Sequence, residues 1–178
     1  MPSTRDWRKP VLMQTNDASF LALGSNLSAG YGSSVDLIRA AIAAIGVSRV
    51  RIDMCSSFYQ TRPLGPAQPE FINLVLKIHT LLAPRALLHH MQGVETAFGR
   101  QRQVKWGPRT LDIDILSMPS GPYGPDPLLP HGELHKRGFV LYPLSEIAPG
   151  WVHPVSLQPI SALIRALPAS ERVGITRL

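Results

Sequence analysis

Residues 71–78 read Phe-Ile-Asn-Leu-Val-Leu-Lys-Ile, and this stretch decides the class of fold. Side chains along a strand alternate between the two faces of a sheet. The even positions are all aliphatic and predict a face packed against helices. The opposite face carries the odd positions, Phe71, Asn73, Val75 and Lys77. Because an aromatic ring and an amide suit a binding site better than a core, the stretch predicts a sheet with one buried face and one face open to a ligand.

The segments on either side of this strand alternate between strand and helix patterns. Short apolar or alternating runs predict strands over residues 19–23, 50–55, 71–80 and 110–116. Apolar residues at helical spacing predict helices over 34–45 and 84–98, and shorter helices later, the clearest over 160–167. Residues 117–130 are rich in Pro and Gly and predict a loop or a reduced hairpin. The order β-α-β-β-α-β is the ferredoxin-like arrangement of the α+β class, in which helices cover one face of an antiparallel sheet and leave the other for the ligand site.

The composition bounds the class of protein. With 44% hydrophobic and 17% charged residues, the 178-residue chain is apolar enough to fold, which excludes a disordered charged tail. Residues 18–178 are most simply one domain, preceded by a poorly ordered polar extension at residues 1–17. The net charge of +6 favours anionic partners. The single Cys55 fits a reducing compartment, and no stretch has the length of a membrane span, so we expect a cytoplasmic monomer without a membrane partner.

Two aspartates alternate with aliphatic residues in the predicted strand at 110–116. The odd positions face the core, so Asp112 and Asp114 project together from the open face, with Cα atoms roughly 6–7 Å apart. Neighbouring carboxylates repel each other, and a divalent cation relieves that repulsion. Carboxylates combined with water and substrate phosphates suit Mg²⁺, and one Asp-x-Asp can bridge two such ions. A solvated strand edge is the alternative, although Asp is depleted in strands.

A basic segment precedes the two aspartates. Residues 99–109 read Gly-Arg-Gln-Arg-Gln-Val-Lys-Trp-Gly-Pro-Arg and hold four cations and no acid. Arg binds phosphate oxygens through two parallel hydrogen bonds, and Lys supplies a point charge. Cations beside metal-binding carboxylates suit a nucleoside triphosphate. An ordinary solvated loop is the alternative, although an exposed Trp106 in such a loop usually closes over something.

Other candidates carry weaker signals. Residues 24–26 and 63–65 are turns whose backbone groups either bind a ligand or only redirect the chain. His131 and His135 lie four residues apart but lack the other ligands of a zinc site. Neither a P-loop nor the Gly-rich dinucleotide motif is present, so any nucleotide is bound without those cradles.

Several stretches together resemble a known family. Residues 20–27 read Phe-Leu-Ala-Leu-Gly-Ser-Asn-Leu, residues 105–116 read Lys-Trp-Gly-Pro-Arg-Thr-Leu-Asp-Ile-Asp-Ile-Leu, and residues 136–144 read Lys-Arg-Gly-Phe-Val-Leu-Tyr-Pro-Leu. With Phe-Ile-Asn at 71–73 and Leu-Pro-His at 129–131, they resemble the 6-hydroxymethyl-7,8-dihydropterin pyrophosphokinases of folate biosynthesis. The block Trp-Gly-Pro-Arg-x-x-Asp-x-Asp is the most specific part of this resemblance.

The resemblance implies a reaction and a set of site residues. ATP, as co-substrate, would give its terminal pyrophosphoryl group to the hydroxymethyl oxygen of the pterin and leave AMP, with two Mg²⁺ ions held by Asp112 and Asp114. The implied pterin-binding residues are Thr61, Pro63, Leu64, Phe71, Asn73 and Phe139, with the two rings sandwiching the pterin. The implied ATP-binding residues are Gln92, Arg102, Trp106, Arg109, Ile115, His131 and Arg137. The implied catalytic residues are Arg100, Arg109, Asp112 and Asp114.

The chain departs from the family pattern at three places. The basic loop between Arg100 and Trp106 is about one residue shorter than in a familiar member. Gly132 follows His131 where many members have an aromatic residue, and residues 121–129 lack the Arg and Thr that often help to hold the nucleotide. These departures predict an active enzyme with altered affinity for ATP.

Two other functions compete with this interpretation. A different metal-dependent transferase or hydrolase would use the same aspartates and basic loop, but Phe71, Asn73 and Phe139 favour a flat heteroaromatic acceptor. A nucleic-acid-binding module on a ferredoxin-like sheet would fit the positive charge. Its usual aromatic RNA-binding motif is absent from the sequence, and two carboxylates on the open face would repel a phosphate backbone, so no nucleic-acid partner is expected.

Overall fold

The computed structural model describes residues 18–47, 49–63, 67–100, 107–119 and 121–178. The prediction for the extension at residues 1–17 lies outside these residues. None of the helices within the described ranges is both long and apolar enough to cross a membrane.

A six-stranded antiparallel sheet forms the centre of the molecule, which confirms the predicted ferredoxin-like α+β fold. The strands are β1 (Ser19–Ser25), β2 (Val50–Cys55), β3 (Tyr59–Thr61), β4 (Phe71–Thr80), β5 (Asp112–Ser117) and β6 (Ile175–Arg177). Their order is β5-β1-β4-β3-β6, and β2 also pairs with β4, beyond the end of β3. The long strands β1 and β4 therefore lie at the middle, where both of their edges are paired.

Two helices cover the aliphatic face of the sheet, as the sequence predicts. Helix α1 (Ser34–Gly46) begins where the Ser33 hydroxyl accepts a hydrogen bond from the Asp36 backbone N–H (3.1 Å). Helix α2 (Pro84–Ala97) begins at a proline, which suits the first helical turn. Their apolar stripes pack on the even positions of β4 and on Ile113 and Ile115 of β5 to form the first core.

The opposite face of the sheet is covered at one end only. Helices α3 (Gly138–Ile147) and α4 (Ile160–Ala166) pack there with Trp151 against Phe20 and Val75 to form a second core. The predicted open face is therefore shared between this core and the cavity described below. Short 3₁₀ turns at Leu134–Lys136 and Ala169–Glu171 flank the two helices.

The strand register brings the polar residues of the open face into one row. Gly24 of β1 pairs with Asn73 of β4 on one side and with Asp112 of β5 on the other. A Cβ atom at Gly24 would lie 3.0 Å from Asn73 Oδ1, so the glycine leaves room between an amide and a carboxylate. Ala22 likewise separates Val75 from Asp114. The small residues of β1 thus form the floor of a depression.

Candidate active site

A cavity of about 290 Å³ lies over this row of residues, at the uncovered end of the open face. Nine of the predicted site residues line it: Thr61, Phe71, Asn73, Arg109, Asp112, Asp114, His131, Arg137 and Phe139. They come from β3, β4, β5, the segment before β5 and the segment around the start of α3. The fold therefore gathers residues separated by nearly 80 positions into one site.

Other predicted residues stand apart from the cavity. Pro63 and Gln92 are half-buried outside its lining. Ile115 is 4% exposed because β5 turns its odd positions toward the first core, so any contact of Ile115 with a ligand would have to come from its backbone. Leu64, Arg102 and Trp106 lie outside the described residues.

The two aspartates project into the cavity side by side, and each faces cations. Asp112 accepts hydrogen bonds from the guanidinium groups of Arg109 and, at 2.7 Å, Arg100. Asp114 lies 3.8 Å from Arg137 and 4.0 Å from His131. Three arginines that the family resemblance assigns to the nucleotide or to catalysis therefore lie against carboxylates of the cavity.

Asp114 is the less compensated of the two carboxylates. Burial raises the pKa of Asp114 above its usual value, and the negative charge of Asp112 raises it further. His131, Arg137 and Arg109 oppose the shift without cancelling it. This end of the cavity therefore holds a carboxylate that gains from an additional positive charge.

A buried glutamate that the sequence predictions missed organises this charged end. Glu95 of α2 is 3% exposed, and its Oε1 accepts hydrogen bonds from Arg100 and from the Ile113 backbone N–H (2.7 Å). It thereby connects the helix, the start of the basic segment and the strand that carries both aspartates. Its signal in the sequence is a charged residue in the apolar stripe, four residues after Met91.

At the other end of the cavity, here called the neutral end, most of the lining is uncharged, and Arg62, which follows Thr61, is the exception. The Asn73 amide donates a hydrogen bond to Thr61 Oγ1 at 2.8 Å, and both side chains are buried. Phe71 and Phe139 line this end from two different elements, and the Arg137 guanidinium lies 5.7 Å from the centre of the Phe139 ring. Two aromatic rings, one from β4 and one from α3, together with the Asn73 amide suit a flat, polar-edged ring.

Asn26 belongs to the turn at residues 24–26, which was a weak candidate for ligand binding. It connects the two ends of the cavity without lining it. Its Oδ1 accepts a hydrogen bond from the Arg109 backbone N–H (2.7 Å). Its Nδ2 donates to Gln68 Oε1 (3.0 Å) and to the Pro69 carbonyl (3.1 Å), which are three and two residues before Phe71. Asn26 is 4% exposed and has a structural role, whereas Gly24 of the same turn lines the cavity.

The side chains are compatible with a Mg²⁺ ion that takes some of its ligands from the protein and the others from a substrate. Within the described ranges, no group of three or more acidic, His or Cys side chains is placed to hold a metal ion by itself. The cavity instead offers two neighbouring carboxylates, of which Asp114 is the less compensated. Mg²⁺ is commonly bound through one or two carboxylates plus phosphate oxygens and water.

Several cavity residues had no role assigned to them from the sequence, and they include Arg62, Ala22 and Gly107. Arg62 follows the three-residue strand β3, and its signal was only that of a charged loop residue. Ala22 has no polar group and takes part because it is small.

Comparisons with known proteins agree with this site. The family described as 7,8-dihydro-6-hydroxymethylpterin-pyrophosphokinase (HPPK) matches residues 20–149. The 2-amino-4-hydroxy-6-hydroxymethyldihydropteridine pyrophosphokinase of Haemophilus influenzae is 42% identical over 155 residues, which cover 83% of this chain and 91% of the relative. The enzyme of that name from Synechocystis sp. is 40% identical over 151 residues, covering 81% of this chain and 73% of the relative.

A likeness to solved structures supports the fold. The crystal structure of Plasmodium falciparum HPPK-DHPS wild type with pteroate has a TM-score of 0.67 at 14% identity and covers 90% of this chain. The chain spans 45% of the length of that protein. Together with the matched family and the two close relatives, these findings confirm the resemblance noted in the sequence: the chain belongs to the 7,8-dihydro-6-hydroxymethylpterin pyrophosphokinase family.

Proposed function

We propose that the cavity binds ATP and 6-hydroxymethyl-7,8-dihydropterin together, and that Asp112 and Asp114 hold two Mg²⁺ ions that accompany the ATP. Pyrophosphoryl transfer to this pterin in folate synthesis is the activity of the family to which the chain belongs. ATP as the donor, the metal ions and the roles of individual residues are the proposal.

One observation carries this proposal: a single cavity has a charged end and a neutral aromatic end. Asp112, Asp114, Arg109 and Arg137 line the charged end, and Phe71, Asn73, Thr61 and Phe139 line the neutral end. A triphosphate needs cations and metal-binding carboxylates, whereas a pterin needs flat apolar contacts and an amide at its edge. The arrangement therefore suits two substrates of these kinds placed end to end.

The proposed chemistry relies on position and charge. Bound Mg²⁺ would neutralise the triphosphate and make the β-phosphorus accessible to an oxygen nucleophile. The neutral end would orient the pterin so that its hydroxymethyl oxygen points toward the charged end. Since no protein side chain has to form a covalent bond, the main contributions of the chain are alignment of the two substrates and stabilisation of developing negative charge.

The arginines are proposed to exchange partners during binding. In the structure Arg100 and Arg109 contact Asp112, and Arg137 faces Asp114. Asp112 and Asp114 would hold Mg²⁺, and the guanidinium groups would bind phosphate oxygens, to which their geometry is suited. His131, beside Asp114, would join the phosphate-binding set. We propose that Arg102 and Trp106 complete this set, as the resemblance implies.

The domain boundary, compartment and oligomeric state remain predictions. We propose one catalytic domain over residues 18–178 that acts as a cytoplasmic monomer. The lone Cys55 fits a reducing compartment.

The decisive test is a product assay with the purified chain, ATP, MgCl₂ and 6-hydroxymethyl-7,8-dihydropterin. We expect AMP and the pterin diphosphate in equal amounts, with neither formed when the pterin or Mg²⁺ is omitted. Release of ADP, or hydrolysis of ATP without pterin, would instead indicate a different phosphotransferase or a hydrolase.

Isothermal titration with a non-hydrolysable ATP analogue, with and without Mg²⁺, then measures how far nucleotide binding depends on the metal.

A further inference from the structure

Residues 169–178 are here called the C-terminal segment. The segment contacts two elements that line the neutral end of the cavity, the start of α3 and β3, on the side away from the cavity. The segment consists of the 3₁₀ turn Ala169–Glu171, a connection and β6. All ten residues are described, and none of them lines the cavity. The segment also lies beyond residue 149, the last residue of the family match.

The first wall is the start of α3, where the segment approaches the backbone very closely. Glu171 Oε2 accepts a hydrogen bond from the Gly138 backbone N–H at 3.1 Å. A Cβ atom at position 138 would lie 1.9 Å from the Glu171 carbonyl oxygen and 2.8 Å from Ile175 Cδ1. Only glycine permits this contact, and its two neighbours, Arg137 and Phe139, both line the cavity.

Glu171 supplies what the start of α3 lacks locally. The first N–H groups of a helix have no partner inside the helix. Arg137 occupies the capping position and its side chain makes no capping hydrogen bond. A carboxylate at this end accepts one of the unpaired N–H groups and also interacts favourably with the helix dipole. Glu171 therefore fixes the direction in which α3 starts, and with it the placement of Phe139.

The second wall is β3. Its outer edge, the one that is not paired with β4, pairs with β6 of the C-terminal segment. Thr61 pairs with Ile175, and the Arg62 backbone N–H donates to the Gly174 carbonyl at 3.3 Å. Thr61 is the residue whose hydroxyl accepts the hydrogen bond of Asn73. Because β3 is only three residues long, its position depends on β4 on one side and on β6 on the other.

We propose that the C-terminal segment positions the pterin-binding end of the cavity, and that Glu171 is its principal positioning residue. The segment belongs to neither hydrophobic core, so loss of its contacts should alter the shape of this end more than the stability of the fold. The charged end is held by Glu95, Arg100 and Asp112, none of which contacts the segment in the hydrogen bonds and ion pairs described above. The inference rests on the proposed function, because it takes Phe139 and Thr61 as pterin-binding residues.

The test compares Glu171→Ala, Glu171→Gln and the control Arg172→Ala by kcat, the KM of each substrate and the melting temperature. In Glu171→Ala we expect the KM for the pterin to rise about fivefold, with the KM for ATP within about twofold of wild type. Glu171→Gln should restore most of the pterin affinity, because its amide oxygen can still accept from the Gly138 N–H. Arg172 is an exposed neighbour, and its replacement should leave both KM values unchanged.

Two results would overturn the inference. One is an unchanged KM for the pterin in Glu171→Ala. The other is an equal loss for both substrates that follows a fall in melting temperature, which would make Glu171 merely structural. Gly138→Ala is a second route to the same change, because its methyl group must displace the Glu171 carbonyl, and it should reproduce the selective loss of pterin affinity.

Phe139→Ala separates this inference from the proposed function. If Phe139→Ala binds the pterin as tightly as wild type, the assignment of this end to the pterin fails. If Phe139→Ala loses pterin affinity while Glu171→Ala and Gly138→Ala keep it, the assignment stands and only the role of the C-terminal segment is overturned.

Discussion

The two ends of the cavity are built in different ways. The charged end consists of ionised side chains that neutralise one another, with Asp112 between Arg100 and Arg109. The neutral end consists of strand pairing, one amide–hydroxyl hydrogen bond and two aromatic rings. No ion pair holds Phe71, Asn73 or Thr61 in the contacts described above, whereas the charged end would have to exchange ion pairs to bind a metal–phosphate complex. The comparison teaches that preorganisation here is uneven: it is greatest where the acceptor is proposed to bind.

The largest expected effect is that of Asp114→Asn, which removes from the charged end a carboxylate that we propose to bind Mg²⁺. We expect kcat to fall about 10³-fold or more, because charge neutralisation at the phosphates is lost. The melting temperature without ligands should stay the same or rise, because the variant also removes repulsion with Asp112. Asp126→Asn is the matched control, since Asp126 is exposed and pairs only loosely with Arg85, at 3.8 Å. A near-normal rate in Asp114→Asn would remove this residue from the metal site.

A large effect on stability is expected from Glu95→Ala at the same end. Loss of this buried carboxylate leaves Arg100 and the Ile113 N–H without their shared acceptor, at a cost of about 3 kcal/mol in the free energy of unfolding. Urea denaturation measures the change. Glu133→Ala, which removes an exposed carboxylate paired with Lys136, should not shift the midpoint. If Glu95→Ala were as stable as the control, the charged end would not depend on this residue.

Phe71→Ala tests the neutral end. We expect the Kd for the pterin to rise about tenfold because one stacking surface is lost, while the Kd for the ATP analogue stays unchanged. Titration calorimetry with each ligand separately gives both values. Tyr31→Ala is a suitable control, because Tyr31 is 43% exposed and stacks on Phe98 away from the cavity lining. Equal weakening of both ligands would show that the two ends are not independent.

The smallest expected effect concerns Glu146, which lies on α3 behind the neutral end. Burial alone would raise the pKa of Glu146, but hydrogen bonds from Ser57 and Tyr59 outweigh it, and Arg177 helps to lower the pKa below its usual 4.5. Because the pKa is lower in the folded state, Glu146 stabilises the fold above about pH 4.5, and this contribution is lost as the pH falls through the folded pKa.

Glu146→Gln should therefore be less stable than wild type at neutral pH, by about 1 kcal/mol, and should lose less stability on acidification. Thermal unfolding of both proteins between about pH 3 and pH 7 gives the comparison. Parallel curves over this range would mean that Glu146 does not contribute to the acid sensitivity.

Alternation in two strands was enough to predict where the site lies. Residues 71–78 and 110–116 each separate aliphatic from polar positions, and the structure places Asn73 and Asp112 on either side of Gly24, as a shared open face requires. The family resemblance then named most of the residues that line the cavity. Local pattern carried this information because period-two alternation fixes the face on which each side chain lies.

Other features could not be predicted because no local pattern encodes them. Strands β3 and β6 are three residues long, too short for alternation to be recognised, and they pair across more than 110 residues of sequence. The apolar stripes of α3 and α4 do not state which face of the sheet they cover. Glu95 stands in the apolar stripe of α2, but no local pattern shows its partners, which become evident only when Arg100 and the start of β5 are placed around it.

The side chain at position 26 is subject to an unusually narrow chemical requirement. Its oxygen must receive the Arg109 N–H while its nitrogen serves both Gln68 and the Pro69 carbonyl. Aspartate has the right size but no hydrogen to give to a carbonyl, serine lacks the second atom, and glutamine is one methylene too long for so enclosed a position. A search for variants of the enzyme that take new acceptors can therefore change the aromatic residues of the cavity, but it should retain asparagine at this position, although Asn26 does not line the cavity.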